Sequence, residues 1–135
     1  MEETQHEEHD EDRVRDATAR QTQFGHRAII ANKRGTALAY CEARKSDKGD
    51  WGTIDILLRR STDGGKTWGP RANIANVPGP KAKNPVALAQ KLATPGEVTY
   101  NNPVAIAHAT GGVTFLFCLE YARCFMMHSD DDGVT

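Results

Sequence analysis

A chain of 135 residues, 39% hydrophobic and 26% charged, holds one modest core and is excluded from the fibrous and wholly disordered classes. Its formal net charge of -1 and sequence pI near 6.5 exclude the basic field that gathers nucleic acid or an anionic membrane surface. No run approaches the roughly 18 consecutive apolar residues of a membrane helix, so neither nucleic acid nor a bilayer is an expected partner.

The first segment, "MEETQHEEHDEDRVRDATARQTQ", covers residues 1–23 and has almost no large apolar side chain before Phe24. It is acidic where a secretory leader is basic and then apolar, and it buries too little surface to offset the entropy of ordering it. A disordered or partly helical acidic tail is expected there, ahead of a folded part spanning residues 24–135.

From Arg27 the pattern changes to short β-rich runs: "AIIAN", "TALAYCEA" and "IDILLRRS", then "VAIAHA", "VTFLFCLE" and "CFMMHS". Turn signals separate them at Gly35, Asp63-Gly64-Gly65, Gly111-Gly112 and Asp132-Gly133. The chain is therefore expected to be all-β. The two triplets also match each other, Ile29 with Ile106, Gly35 with Gly112, Tyr40 with Phe117 and Cys41 with Cys118, all 77 positions apart. Self-similarity of this kind indicates a repeat architecture, with one unit over about residues 27–75 and a second over about 98–135.

Each third run closes in a similar knot, "STDGGKTW" and "SDDDGVT", but Ser61 and Ser129 are only 68 positions apart. The first unit thus carries nine extra residues, "KSDKGDWGT", between its second and third runs. Loops held by a rigid scaffold are where function concentrates, so this insertion is the first place to look. In S-x-D-x-G-x-T-W the Ser, Asp and Thr side chains can bond nearby backbone, Gly supplies the bend, and Trp packs down on the turn. Ser61, Asp63, Gly65, Thr67 and Trp68 fill that pattern, and Ser129, Asp131, Gly133 and Thr135 repeat it without the aromatic. Cys41, Cys118 and Cys124 are odd in number, lack metal-ligand spacing and read as inert thiols of the core. No metal or cofactor is expected.

The knot is the Asp-box (BNR) pattern. With it, "GTALAYCEARKSDKGDWGTIDILLRRSTDGGKTW" resembles the first blade of the exo-α-sialidases (neuraminidases), and "TYNNPVAIA" with "FLFCLEYARCFMMHSDDDG" is similar to their second blade. The resemblance covers about residues 27–135 and implies some two blades of a six-bladed sialidase-type β-propeller. It further implies a retaining glycosidase that removes terminal sialic acid from glycoconjugates, using a tyrosine nucleophile primed by a glutamate. An aspartate serves as acid/base and three arginines hold the sugar carboxylate. A neutral phenol avoids the repulsion a carboxylate nucleophile would meet from an anionic sugar.

Carried over by position, Asp50 of "GDWG" falls on the acid/base aspartate, and Arg44 on the arginine that contacts the ring hydroxyls. Asp47 reads as a solvated loop residue. Asn102, with Asn101 beside it in "TYNNP", lies where the family approaches the N-acyl side of the sugar. Tyr40, Tyr100 and Tyr121 match no nucleophile motif and are expected to pack as buried aromatics.

One departure is specific. Phe24-Gly25-His26-Arg27 aligns with the family's F-R-I-P strand, so Gly25 stands where the first triad arginine would. Simple alternation puts Arg27 on the same face about 6.6 Å further along, too far for an unchanged carboxylate grip unless the strand slips, and it stands as a substrate-binding candidate on that condition. The nucleophile, its glutamate and the other triad arginines have no counterpart in these residues, which implies that the 135-residue chain alone does not turn over sialosides. Two blades would also leave open sheet edges suited to self-association. The competing reading is a non-catalytic propeller module that binds glycans or proteins, and a truncated reading frame is a third.

Overall fold

The computed structural model describes residues 23–46 and 49–135; all of the acidic tail but Gln23 lies outside these, as does Asp47. Seven strands form two antiparallel sheets. Strands β1 (Gln23–Ala31), β2 (Ala37–Arg44), β3 (Ile54–Ser61) and β4 (Ala72–Asn73) make the first in that order, and β5 (Tyr100–Ala107), β6 (Val113–Leu119) and β7 (Arg123–Ser129) make the second. The two-residue β4 closes the first unit, and a short helix α1 (Pro85–Ala89) lies between the units, where the sequence carries no strand pattern. Asn84 caps α1 by accepting the Val86 N–H at 2.9 Å, and Pro85 starts it, where a missing N–H costs nothing.

Period-two alternation decides which side chains meet. In β6, Val113, Phe115, Phe117 and Leu119 are buried while the residues between them are half-exposed. Opposite them lie Leu38 and Tyr40 of β2 and Ile56 and Leu58 of β3, so the core is the space between the sheets. Tyr40 meets Phe115 edge-on at 4.9 Å and Tyr100 meets Phe117 at 6.0 Å. Each such fully buried side chain contributes about 1.5–3 kcal/mol by leaving water. The phenols are not wasted on the core: the Ala105 N–H donates to Tyr40 and the Val77 N–H to Tyr100, both at 3.1 Å.

Both S-x-D-x-G-x-T turns are built alike. Ser61 donates to Asp63 at 2.8 Å and accepts the Gly65 N–H at 2.9 Å, while Asp63 accepts the Thr67 N–H and hydroxyl. Ser129, Asp131, Gly133 and Thr135 repeat the set, with the Gly133 N–H at 2.8 Å from Ser129. Trp68 lies against Gly65, where an added Cβ would stand 3.8 Å from the indole. The second turn also docks on the first sheet. Asp132 accepts from Asn32 and Arg34 at the β1–β2 turn, and its carbonyl accepts from Arg60 at 2.7 Å.

The repeat is real but its register is 76, not 77. Gly35 and Gly111, 76 positions apart, are the turn glycines at φ 81° and 113°, and Ala37 and Val113 pair with Ser61 and Ser129 respectively. The insertion in the first unit is accordingly eight residues rather than nine. Matching Tyr40 to Phe117 failed because they lie on opposite faces of equivalent strands: one sheet's inner face meets the next sheet's other face, so both appear apolar.

Candidate functional site

Four segments converge at the Arg44 end of β2. The chain leaves β2 at Arg44, runs through the insertion, makes a short 3-10 turn at Gly49–Trp51 and re-enters at Ile54. Backbone bonds from Lys45 to Thr53 and from Ile54 to Val98 close the loop at its base. Its far side is tied to the second unit, where the Thr99 hydroxyl donates to the Gly52 carbonyl at 2.6 Å.

On this loop Asp50 presents a carboxylate that is 65% exposed and bonded at 2.5 Å to Arg44 Nη2. The same guanidinium nitrogen stands 3.7 Å from Glu42 Oε2, and the Glu42 side chain is almost fully buried. Glu42 in turn accepts the Asn102 N–H at 2.8 Å and lies 3.6 Å from His26 Nδ1. One arginine thus sits between two carboxylates. Its charge is compensated, which suits holding Asp50 in place or bonding neutral hydroxyls better than gripping an anion.

An aromatic wall flanks the pair. Trp51 packs on Tyr121 with ring centroids 4.7 Å apart. Burial first, then the Asp50 and Glu42 carboxylates, push the Tyr121 phenol up to about 12. Tyr121 reaches this place because the turn after β6 has two consecutive left-handed residues, Glu120 and Tyr121, at φ 58° and 56°. The conformation is held from below. Glu120 accepts the Thr99 N–H at 2.7 Å and the Asn84 N–H at 3.2 Å, and pairs with buried Lys83 at 3.2 Å. Lys83 also donates to the Thr99 hydroxyl at 2.7 Å, so one buried network fixes both the Tyr121 turn and the Gly52 side of the Asp50 loop.

The sequence candidates fare differently. Arg44 and Asp50 come together, and Asn102 joins them through its backbone rather than its side chain, at a left-handed φ of 54°. Arg27 does not. A bulge between Phe24 and Arg27 sets Gly25 and His26 against Glu42, and Arg27 pairs with Cys41 on the opposite face. Simple alternation misses that extra residue. Gly25 itself faces the cluster so closely that a Cβ there would collide with the Glu42 carboxylate and stand 3.2 Å from Arg44 Nη2. A similar bulge between Asn101 and Val104 interrupts β5.

Tyr40 and Tyr100 are buried as expected, whereas Tyr121 is 39% exposed and belongs to the site. Glu42 stands in the acidic-Ala-Arg segment of the resemblance but had no role assigned to it, and Lys83 and Glu120 carried no motif. A glutamate inside an otherwise apolar strand was the signal available for Glu42, since burial of a lone carboxylate needs partners. Two buried donors here, Arg44 Nε and Asn101 Nδ2, have no hydrogen-bond partner among the described residues. Among the described residues no group of three or more His, Cys, Asp or Glu is placed to hold a metal.

No protein-family model matches the chain. Among solved structures it is similar to the intramolecular trans-sialidase from Ruminococcus gnavus, solved with oseltamivir carboxylate, at a TM-score of 0.56 and 26% identity. That match covers 76% of this chain and 22% of the other. It is also similar in fold to the Hadza microbial sialidase Hz136, at a TM-score of 0.61 and 19% identity over 87% of this chain and 25% of that one. The all-β architecture is therefore a sialidase-like fold with two antiparallel sheets as partial propeller blades, and the chain spans a quarter or less of the length of the proteins it matches.

Proposed function

We propose that these residues form the acid/base side of a retaining exo-α-sialidase site, with Asp50 the proton donor to the leaving oxygen and Arg44 its positioning partner and a donor to sugar hydroxyls. The observation that carries this is the Asp50–Arg44 pair at 2.5 Å on an exposed turn, walled by Trp51 and Tyr121, within a sialidase-like fold. An aspartate at the mouth of an aromatic wall loses water when a sugar covers it, and desolvation raises a carboxyl toward the range in which it donates a proton. The half-buried Trp51 and the exposed Tyr121 offer ring faces that suit the apolar face of a sugar, and Asn102 borders the same cluster. The nucleophile and the carboxylate grip have no candidate here, so the 135-residue chain binds a terminal sialoside weakly and does not hydrolyse it.

Two measurements test the reading. Saturation-transfer NMR on the chain should show contact with sialyllactose but not lactose, reduced in Arg44→Ala; equal signals from both sugars refute it. In a longer protein that contains these residues and cleaves a fluorogenic sialoside, Asp50→Asn should lower kcat by about a hundredfold or more, the usual contribution of a positioned acid.

A second reading, a non-catalytic module binding neutral glycans, is favoured by Gly25. The Glu42 carboxylate fills the space from which a side chain at 25 would start, placing negative charge where a sialate grip needs positive. Lactose binding at least equal to that of sialyllactose is its signature.

A further inference from the structure

Cys118 and Cys124 are direct partners across the β6–β7 ladder, and their sulfurs stand 3.2 Å apart. Paired residues of antiparallel strands have Cα atoms about 4.5–5.5 Å apart, within the range a disulfide spans without backbone movement. Cys124 is exposed and Cys118 half-buried, so neither is the sealed core thiol expected from the apolar run around it. Cys41, the third thiol, lies on β2 in the other sheet and pairs with Arg27 and Leu57. The two cysteines flank the Glu120-Tyr121 turn, whose strained left-handed residues set Tyr121 against Trp51.

We propose that Cys118 and Cys124 form a reversible dithiol–disulfide site that takes small-molecule disulfides as substrate and, when oxidised, clamps the turn carrying Tyr121. Burial and the neighbouring thiol push Cys118 up to about 11, so the exposed Cys124 attacks first. Its thiolate displaces one glutathione thiolate from glutathione disulfide, forming a mixed disulfide. Cys118 then attacks the Cys124 sulfur and expels the second glutathione. The two cysteine thiols are oxidised, one glutathione disulfide is reduced to two thiols, and each leaving thiolate takes up the proton a cysteine gives. The second step is fast because the resolving sulfur is already in contact. The bridge lies at the foot of the turn, inside the pair Leu119 and Arg123 that closes it.

The test equilibrates the Cys41→Ser chain with glutathione buffers of rising oxidised fraction, traps free thiols with an alkylating agent and weighs the products. Expected is a monomer that has lost two hydrogens and carries no alkyl group or glutathione, while Cys118→Ser and Cys124→Ser in the same background accumulate a glutathione adduct instead. Dithiothreitol should restore the dithiol. A doubly alkylated chain throughout, a stable glutathione adduct with both cysteines present, or a disulfide-linked dimer overturns the site. Hydrogen exchange at the Glu120 and Ala122 amides, bonded to Thr99 and Leu119, reads the clamp: several-fold slower exchange in the oxidised form is expected, and equal exchange overturns that part.

Discussion

Replacing Lys83 by Met removes the cation from an ion pair that water does not reach, since the Lys83 and Glu120 side chains are 2% and 3% exposed. At the 3.2 Å separation and an effective dielectric of about 20, the gross attraction is about 5 kcal/mol. Breaking a buried pair costs about 3–5 kcal/mol, because the remaining charge has lost its compensation. Glu120 keeps the N–H groups of Thr99 and Asn84, which places Lys83→Met near the lower end, at about 3 kcal/mol. Glu120→Gln leaves the Lys83 ammonium buried with neutral acceptors alone, the Thr99 hydroxyl and the amide oxygen at position 120, and should cost a similar amount. The double variant buries no charge. It should lose no more than either single, an interaction of about 3 kcal/mol between the two sites. Urea unfolding followed by tryptophan fluorescence and by circular dichroism measures all four proteins, with coincident transitions checking two-state behaviour. Singles that each cost under about 1 kcal/mol, the value of a surface pair, or that simply add in the double, would refute the reasoning.

Tyr40→Phe keeps the edge contact with Phe115 but strands the Ala105 N–H between the sheets, and should cost about 1–3 kcal/mol in the same unfolding assay. Asp63 is lowered from 3.8 to about 2 by the Thr67 hydroxyl and N–H and the Ser61 hydroxyl, and Asp131 is lowered for the same kind of reason. A depressed folded value means the stabilisation is complete above about pH 4 and is lost as pH falls toward 2, so the Asp63→Asn, Asp131→Asn variant should melt lower at neutral pH and show a flatter slope across that window. The Tyr121 phenol should ionise near 12 in an ultraviolet titration rather than at 10.0, and Asp50→Asn should bring it partly back. Its raised value favours the neutral phenol, so that contribution is present below pH 10 and disappears between 10 and 12.

Strand alternation and turn chemistry made most of the sheets legible, because β6 and the two serine-aspartate turns follow local rules that no tertiary contact overrides. The pairing of Arg44 with Asp50 in the candidate site was legible from the loop insertion that holds Asp50 and from the family resemblance that singled out both. What escaped depends on one-residue events. The bulge at Gly25-His26 turns Arg27 to the far face, and the single-position error in the repeat hid which face each strand shares with its neighbour. Lys83 comes from a stretch with no periodic pattern, and only folding brings it to Glu120, 37 positions away. Tyr121 needed knowledge of two left-handed residues at positions where glycine or asparagine is the usual signal.

The bond from Asn32 to Asp132 joins residues 100 positions apart, across nearly all of the described chain. Both ends lie on tight turns that must already exist before they can meet, one between β1 and β2 and the other after β7. Closing so long a loop has an entropic cost that nothing local repays, so this contact forms late, after each sheet has assembled. A late contact belongs to the native state and not to the folding transition state. Weakening it is therefore expected to leave the folding rate nearly untouched and to hasten unfolding, which makes the Asp132 turn one latch among the contacts that hold the two sheets together.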